Sequence, residues 1–450
     1  MSSPAKGPDD TAPDLLGQLF DAVLVTLWRY RVEVVLAGIA AGSWWGLDRL
    51  VGPIAAGVVV GVVAVVLLRV STSRLWLTDL LARAHWRRRV TRAIVALGPR
   101  YFGDAVPVVT RLRRSRVGVQ VSIGLRPGHS PADVERAADQ FAAALSVPEV
   151  RVVRELADAS VVHLQILVRR PFGGPPIRCG WVDRPNMSLW EPVPIGEDEL
   201  GDQISLCLVE RNLLAGGEPG SAKSNLLQLI AAACVLDPSA TLWCLDPKLV
   251  ELARWKPLAE GFAGADLGQA SAILEALCAE MERRYSVLAS SGRRKFGPAD
   301  GAGLHVLLVD ELMVYLSDPD KKASERFMVL LRKLVALGRA AGIVVVLATQ
   351  KPSTEVVPSS LRDLIAIRVA FRCTTREASD AILGSGWATK GVSAADIAPE
   401  ERGVCYLLAE GGLPVRVRTY WLDDGTISAI AGRATALRRG TTASDDGNRT

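Results

Sequence analysis

"NLLAGGEPGSAKSNLLQLIAAACVL", residues 212–236, decides the fold. A short apolar strand runs into a glycine-containing loop, and the loop opens directly into an apolar helix. Gly217, Lys223 and Ser224 fit the phosphate-loop pattern G-x-x-x-x-G-K-[ST], with Ala222 at the second glycine position. In that context the backbone N–H groups of 217–225 (Gly217, Glu218, Pro219, Gly220, Ser221, Ala222, Lys223, Ser224, Asn225) and the helix N-terminus are expected to bind ATP phosphates. Lys223 is expected to reach the terminal phosphates and Ser224 to ligate Mg²⁺. A glycine is needed where φ is positive; a position opening a helix is expected at negative φ, where a methyl group fits. Ala222 is therefore expected to be tolerated, with turnover the property it could affect.

Two further strand tips complete the reading. "HVLLVDEL" (305–312) is an apolar run ending in Asp310 and Glu311. Asp310 is expected to hold Mg²⁺ and Glu311 to polarise the attacking water, since two carboxylates ending a buried strand need a partner. "GIVVVLATQ" (342–350) ends in Thr349 and Gln350, and Gln350 is placed to sense the γ-phosphate or position water. From about 190 to 422, β-branched runs alternate with helical stretches, the pattern of a parallel sheet wrapped by helices.

These residues resemble the FtsK/SpoIIIE motor family of the FtsK–HerA ATPases over about residues 190–422. "LDPKLVEL" (245–252), "EMERRY" (280–285), "VDEL", "GRAAGIVVVLATQKPS" (338–353) and "IAIRVAFR" (365–372) carry the likeness. The departures are Ala222 and Lys351, the latter replacing the usual arginine. The resemblance implies a RecA-like α/β P-loop ATPase core, a hexameric homo-oligomer, and double-stranded DNA passing through the ring. It also implies a cation inserted towards a neighbour's γ-phosphate, with Arg368 first choice and Arg339 second. Asp246 and Lys248 are expected at another strand tip beside the phosphate loop, coupling the nucleotide to the pore. Arg293, Arg294 and Lys295, in a glycine-rich stretch, are a candidate DNA contact.

Upstream of the motor (181–425) the chain divides further. Residues 1–31 form a polar tail and a segment, Asp14–Arg31, with helical apolar spacing suited to a membrane surface. Residues 32–70 hold two charge-poor stretches, Val34–Leu47 and Leu50–Leu68, separated by Asp48 and Arg49, and read as a transmembrane hairpin. Arginines flank both ends, so both termini and the ATPase are expected on the cytoplasmic side. Residues 71–97 read as a basic juxtamembrane segment, for lipid headgroups or nucleic-acid phosphates. Residues 98–180 read as a small α+β domain ending at the Pro/Gly-rich 171–181, and 426–450 as a polar tail.

The bulk numbers agree. Hydrophobic residues make up 49% of 450, and mean hydropathy is +0.22, high for a purely soluble chain. A net charge of +5 permits an anionic partner without demanding one. Seven cysteines without a C-x-x-C pair, and four histidines, offer no zinc site. The compact build is similar to the TraB-type conjugative transfer proteins of actinomycete plasmids and integrative elements. The expected role is a membrane-anchored, ATP-driven pump for double-stranded DNA in conjugation. With too few residues after the motor for a winged-helix recognition domain, the protein is expected either to act without sequence preference or to borrow DNA choice from a separate recognition or septal partner. Three alternatives stand beside this: chromosome partition, a type VII secretion-like ATPase, and a non-catalytic membrane adaptor.

Overall fold

The computed structural model describes residues 31–446, apart from 70, 103–104, 116, 156, 170, 301–302, 354–355 and 410. The expected helix at Asp14–Arg31 lies, but for its last residue, outside the described residues. The chain divides between Arg170 and Pro171 into two units. The Pro/Gly stretch after 171 therefore goes with the second unit, ten residues earlier than the expected boundary.

The first unit begins with α1 (Arg31–Val51) and α2 (Pro53–Arg69). The chain breaks at Gly52, not at Asp48–Arg49, because Gly52 takes φ +84° and Pro53 follows at the first helical position. Among the described residues, no helix is long and apolar enough to cross a membrane; α2 has 17 residues. Val35, Ile39, Trp45, Leu50, Ile54 and Val58 are nonetheless exposed on the two helices.

The expected basic segment is one 31-residue helix, α3 (Ser71–Tyr101). Its second half is core rather than linker: Val90, Ala93 and Ile94 pack with the four-stranded sheet described next. Two of its arginines turn inward, Arg87 donating to the Val109 carbonyl at 3.2 Å and Arg89 to that of Leu145. The antiparallel sheet has the order β1 (Val108–Arg114), β2 (Gly118–Gly124), β4 (Val161–Leu167), β3 (Glu149–Arg154). Short helices α4 (Pro131–Arg136) and α5 (Ala138–Ala144) connect its halves. Val119, Val121, Ile123, Val162, Leu164 and Ile166 share the buried face, as alternation requires.

The second unit is built on a ten-stranded sheet. Its strands are β5 (Val193–Asp198), β6 (Gln203–Leu206), β7 (Leu213–Gly216), β8 (Thr241–Leu245), β9 (Ala259–Ala263), β10 (His305–Val309), β11 (Ile343–Thr349), β12 (Ile367–Phe371), β13 (Val404–Ala409) and β14 (Val415–Thr419). Their spatial order is β6-β5-β14-β13-β12-β7-β11-β10-β8-β9. The run from β12 to β9 is parallel, and β13, β14, β5 and β6 extend it by antiparallel pairing. β7 and β11 are buried at every residue, which explains their unbroken apolar sequence.

On one face lie α6 (Lys223–Leu236) and α12 (Asp424–Asp446); on the other lie α7 (Leu267–Ser290) and α9 (Lys321–Leu337). Strands divide their side chains accordingly, Val344, Val346 and Ala348 going to the first face and Val345 and Leu347 to the second. α12 corrects the expected polar tail. Ile427, Ile430 and Ala434, at i, i+3 and i+7, bury one stripe of an otherwise polar helix against the α6 side.

His305, which opens β10, sits in this core with consequences for pH dependence. Trp243 Nε1 donates to His305 Nδ1 at 3.1 Å and the rings stack. Burial, then the charge of Arg284, lowers its pKa to about 4. The unfolded chain, with an ordinary histidine near 6.5, therefore binds more protons below that value. Stability is expected to be full above pH 6.5 and to fall as pH approaches 4. Between pH 6.5 and pH 5 the loss should be on the order of 2 kcal/mol. Urea midpoints at pH 7 and pH 5 for the wild type and His305→Gln check this; an equal drop in both proteins assigns the effect elsewhere.

Candidate nucleotide site

The parallel register brings three strand tips to one edge of the sheet. Val309 pairs with Leu347, and Thr349 pairs with Gly216, so Asp310, Gln350 and Gly217 all emerge together. The phosphate loop leaves β7 at Gly216 and reaches α6 at Lys223. Gly217 permits a close approach: a Cβ there would lie 2.7 Å from the Phe371 Cβ. Ser221 Oγ donates to the Glu218 carbonyl at 2.7 Å, and Arg372, just past β12, forms an ion pair with Glu218.

Ala222 contradicts the expectation drawn from sequence. Its φ is +72°, in the left-handed region, and it caps α6 rather than belonging to its first turn. With Gly220 at +79°, it bends the loop so that successive N–H groups can line a concavity for an anion. The methyl group thus sits where a glycine would be relaxed. A non-glycine residue in this region costs about 1–3 kcal/mol, partly offset by the entropy glycine adds to the unfolded chain. Ala222→Gly is expected to stabilise the protein by about 1 kcal/mol, read as a higher urea midpoint. An unchanged or lowered midpoint would count against a strained loop.

Lys223 is buried, and its Nζ donates to the Asp310 backbone carbonyl at 3.2 Å. Burial lowers its pKa, against the pull of Asp310 and Glu311. Both carboxylate oxygens of Asp310 are buried without a hydrogen-bond partner. Burial lifts its pKa to about 6, with Lys223 drawing it back. Orphaned oxygens beside a lysine are costly unless a cation or its water shell completes them, so the residues fit a magnesium ion held by Ser224 and Asp310.

Glu311, by contrast, is fully engaged. Thr349 Oγ1 donates to its Oε1 at 2.8 Å, and the Gln350 N–H donates to its Oε2 at 2.8 Å. The tip of β11 therefore aims the carboxylate.

A cavity of about 1040 Å³ opens at this edge. Glu218, Pro219, Gly220, Ala222, Lys223, Ser224, Asn225 and Gln350 line it, together with Lys248 and Glu251. Gly217 and Ser221, expected in the same loop, are buried and do not line it. Asn225 differs from its expected role. Its amide donates to the Tyr420 carbonyl and accepts from the Leu422 N–H at 3.1 Å, so it ties α6 to the chain after β14.

Asp246 follows β8, which lies beside β10 with two strands between it and β7, so Asp246 adjoins Asp310 rather than the phosphate loop. Its oxygens accept from Lys248 N and Leu252 N and shape the loop that puts Lys248 into the cavity. Arg368 and Arg339 do not line the cavity. Arg368 bonds the Ile365 and Leu383 carbonyls, and Arg339 precedes β11 at the opposite edge, bonding the Glu210 carbonyl. In the candidate DNA-contact stretch, Arg293 pairs with Asp300, and Lys295 with Glu210 at 2.7 Å.

Sequence reasoning missed Arg402, Arg418 and Trp421, which line the cavity from the turn before β13, from β14 and from the segment after it. Arg418 donates to the Phe172 and Gly174 carbonyls, both at 2.8 Å, holding the Pro/Gly stretch at the cavity's side. No local motif marks these residues.

Comparison with known proteins agrees with this geometry. Residues 50–168 match the actinomycete conjugal transfer protein N-terminal domain. The DNA translocase FtsK of Halalkalibacterium halodurans is 26% identical over 356 residues, covering 72% of this chain and 41% of that protein. The FtsK of Tropheryma whipplei is 30% identical over 260 residues, covering 53% and 34%. The chain thus spans less than half the length of these curated relatives. The structure of the pCW3 conjugation coupling protein TcpA, a monomer form with ATPγS, superposes with a TM-score of 0.53. It is 19% identical and covers 78% of this chain and 99% of that one, a likeness of fold. Residues 184–379, which hold the phosphate loop, Asp310, Glu311 and Gln350, match the FtsK/SpoIIIE family model, so the chain carries an FtsK/SpoIIIE-family domain over that stretch.

Proposed function

We propose that this protein is an ATPase that uses hydrolysis to translocate double-stranded DNA, and that it serves conjugative transfer of a plasmid or integrative element. The observation that carries the reading is the gathering of four residues at one edge of the sheet: Lys223 and Gln350 line the cavity, and Asp310 and Glu311 are hydrogen-bonded directly behind them. Lys223 binds terminal phosphates, and Ser224 and Asp310 hold Mg²⁺, which when bound offsets phosphate charge. Glu311, aimed by Thr349 and Gln350, takes the proton of the attacking water.

The conjugal-transfer match at 50–168 supports conjugation over chromosome partition. The exposed apolar residues of α1 and α2 support anchoring of this end in the cytoplasmic membrane, with the ATPase on the cytoplasmic side. The site takes no arginine from Arg368 or Arg339 of its own protomer, and in a homo-oligomeric ring, here a hexamer, one of them would serve the neighbouring site.

The test is ATP hydrolysis by the full chain in detergent, with and without duplex DNA, using Lys223→Ala as control. Stimulation by duplex DNA, abolished in the variant, is expected. Hydrolysis indifferent to DNA would remove the translocase reading; nucleotide binding without hydrolysis would leave an adaptor.

A further inference from the structure

The mechanism leaves one wall of the cavity unused: the chain between Thr419 and Leu422. Four consecutive N–H groups there are bound to four different segments. Thr419 donates to the Gly403 carbonyl at 2.9 Å, Tyr420 to Ile195 at 2.8 Å, and Trp421 to Ile177 at 2.7 Å. Leu422 donates to the Asn225 side chain at 3.1 Å. Gly403 N–H in turn donates to Ser221 of the phosphate loop at 3.3 Å. A continuous hydrogen-bonded path therefore runs from the phosphate loop to this wall, and Asn225, in the first turn of α6, fixes the distance a second time.

On this rigid backbone Trp421 presents an indole that is 46% exposed and faces the cavity. Leu422 and Ile427 are buried and line the same space. A half-exposed tryptophan on a segment with no freedom gains little from folding. It gains much from a flat aromatic ligand, because a stacked base–aromatic contact needs only a π-face. The lining thus carries two chemistries, N–H groups and Lys223 from the phosphate loop, and an indole with Leu422 and Ile427, beside Asp423 and Asp424, from the segment after β14.

We propose that Trp421 is the seat of the nucleotide's purine base, stacking on it while the phosphate loop holds the phosphates. This rests on the nucleotide-binding reading of the same cavity and adds to it the residue that grips the base. Trp421 touches the base and not the reacting atoms, so it sets affinity rather than the rate of phosphoryl transfer.

Titration calorimetry on the full chain, in detergent with Mg²⁺, measures binding of ATP and of inorganic tripolyphosphate. Tripolyphosphate has the phosphates without the base. For Trp421→Ala, ATP affinity is expected to fall about tenfold or more, and tripolyphosphate affinity to stay within about twofold of wild type. Trp421→Phe keeps a π-face and should hold ATP affinity within a few-fold. Unchanged ATP affinity in Trp421→Ala overturns the proposal, and so does an equal loss for both ligands, which would mean damage to the phosphate loop. A wild type that binds neither ligand sinks the nucleotide reading itself, and the base seat with it. Binding of both ligands with the pattern above supports it.

Discussion

Glu311→Gln is expected to lower ATP hydrolysis by about 10²–10⁴-fold, the range spanned by a positioned general base, while ATP binding persists. The geometry gives the reason. Glu311 lies away from the phosphate loop's own contacts, and its two oxygens are held by Thr349 Oγ1 and the Gln350 N–H. Glutamine keeps the shape and one acceptor oxygen but cannot accept the water's proton. Lys223→Ala acts earlier: it removes the ammonium that burial has already stripped of water, so binding falls together with turnover. The pair is separated by measuring the ATP dissociation constant beside kcat. If Glu311→Gln hydrolyses within a few-fold of wild type, Glu311 is only a pin between β10 and β11, and the water is activated elsewhere. Thr349→Val supplies a third point. It leaves the carboxylate chemically intact but removes one of its guides, so it should lower kcat by less than Glu311→Gln and leave ATP affinity unchanged.

The residues in this argument were readable in the sequence for a physical reason. A parallel sheet covered on both faces demands unbroken apolar strands, so polar residues at their ends stand out. Asp310, Glu311, Thr349 and Gln350 each follow such a run, and the structure puts all of them at one edge. Other features were hidden because their cause is not local. β1 reads as a basic stretch, yet Arg111, Arg113 and Arg114 sit on an edge strand, where charge is compatible with pairing on one side only. α12 was missed because one buried stripe suffices for it, and three residues in 23 give a faint signal. Ala222 was misjudged because loop curvature, not proximity to the helix, sets its φ. Trp421 and Arg418 reach the cavity only through the pairing of β13, β14 and β5, a contact almost 200 residues from the phosphate loop.

Arg284 shows a family-like motif whose physical role only the structure explains, and its replacement carries the largest expected effect on stability. In α7 it is 3% exposed, and its Nε donates to Glu280 Oε1 at 2.6 Å, one turn back. Its Nη1 donates to the carbonyls of Gly303 at 3.1 Å and Ala341 at 3.0 Å, and its guanidinium covers the Phe296 ring at 4.7 Å. Those carbonyls lie just before β10 and β11, so one side chain closes the entrances of the two strands whose far ends carry Asp310 and Gln350. Arg284→Met keeps the bulk but leaves two buried carbonyls without donors, and leaves Glu280 with Arg283 and with His305 Nε2 at 3.7 Å. Breaking a buried pair in this way costs about 3–5 kcal/mol, a fall in Tm of roughly 10 °C for a unit of this size. Arg283 is the internal control. It binds the same Glu280 at 2.7 Å with a side chain 60% exposed, and Arg283→Met should cost at most about 1 kcal/mol. Arg284→Lys should behave more like Arg284→Met than like wild type, since an ammonium concentrates its donors on one atom, whereas Arg284 uses Nε for Glu280 and Nη1 for the two carbonyls. At temperatures where the variant is folded, kcat should stay within a few-fold of wild type, because the clamp lies at the opposite edge of the sheet from the cavity. Equal melting temperatures for the Arg283 and Arg284 variants would show that the strand entrances hold without it, and the buried guanidinium would then need another explanation.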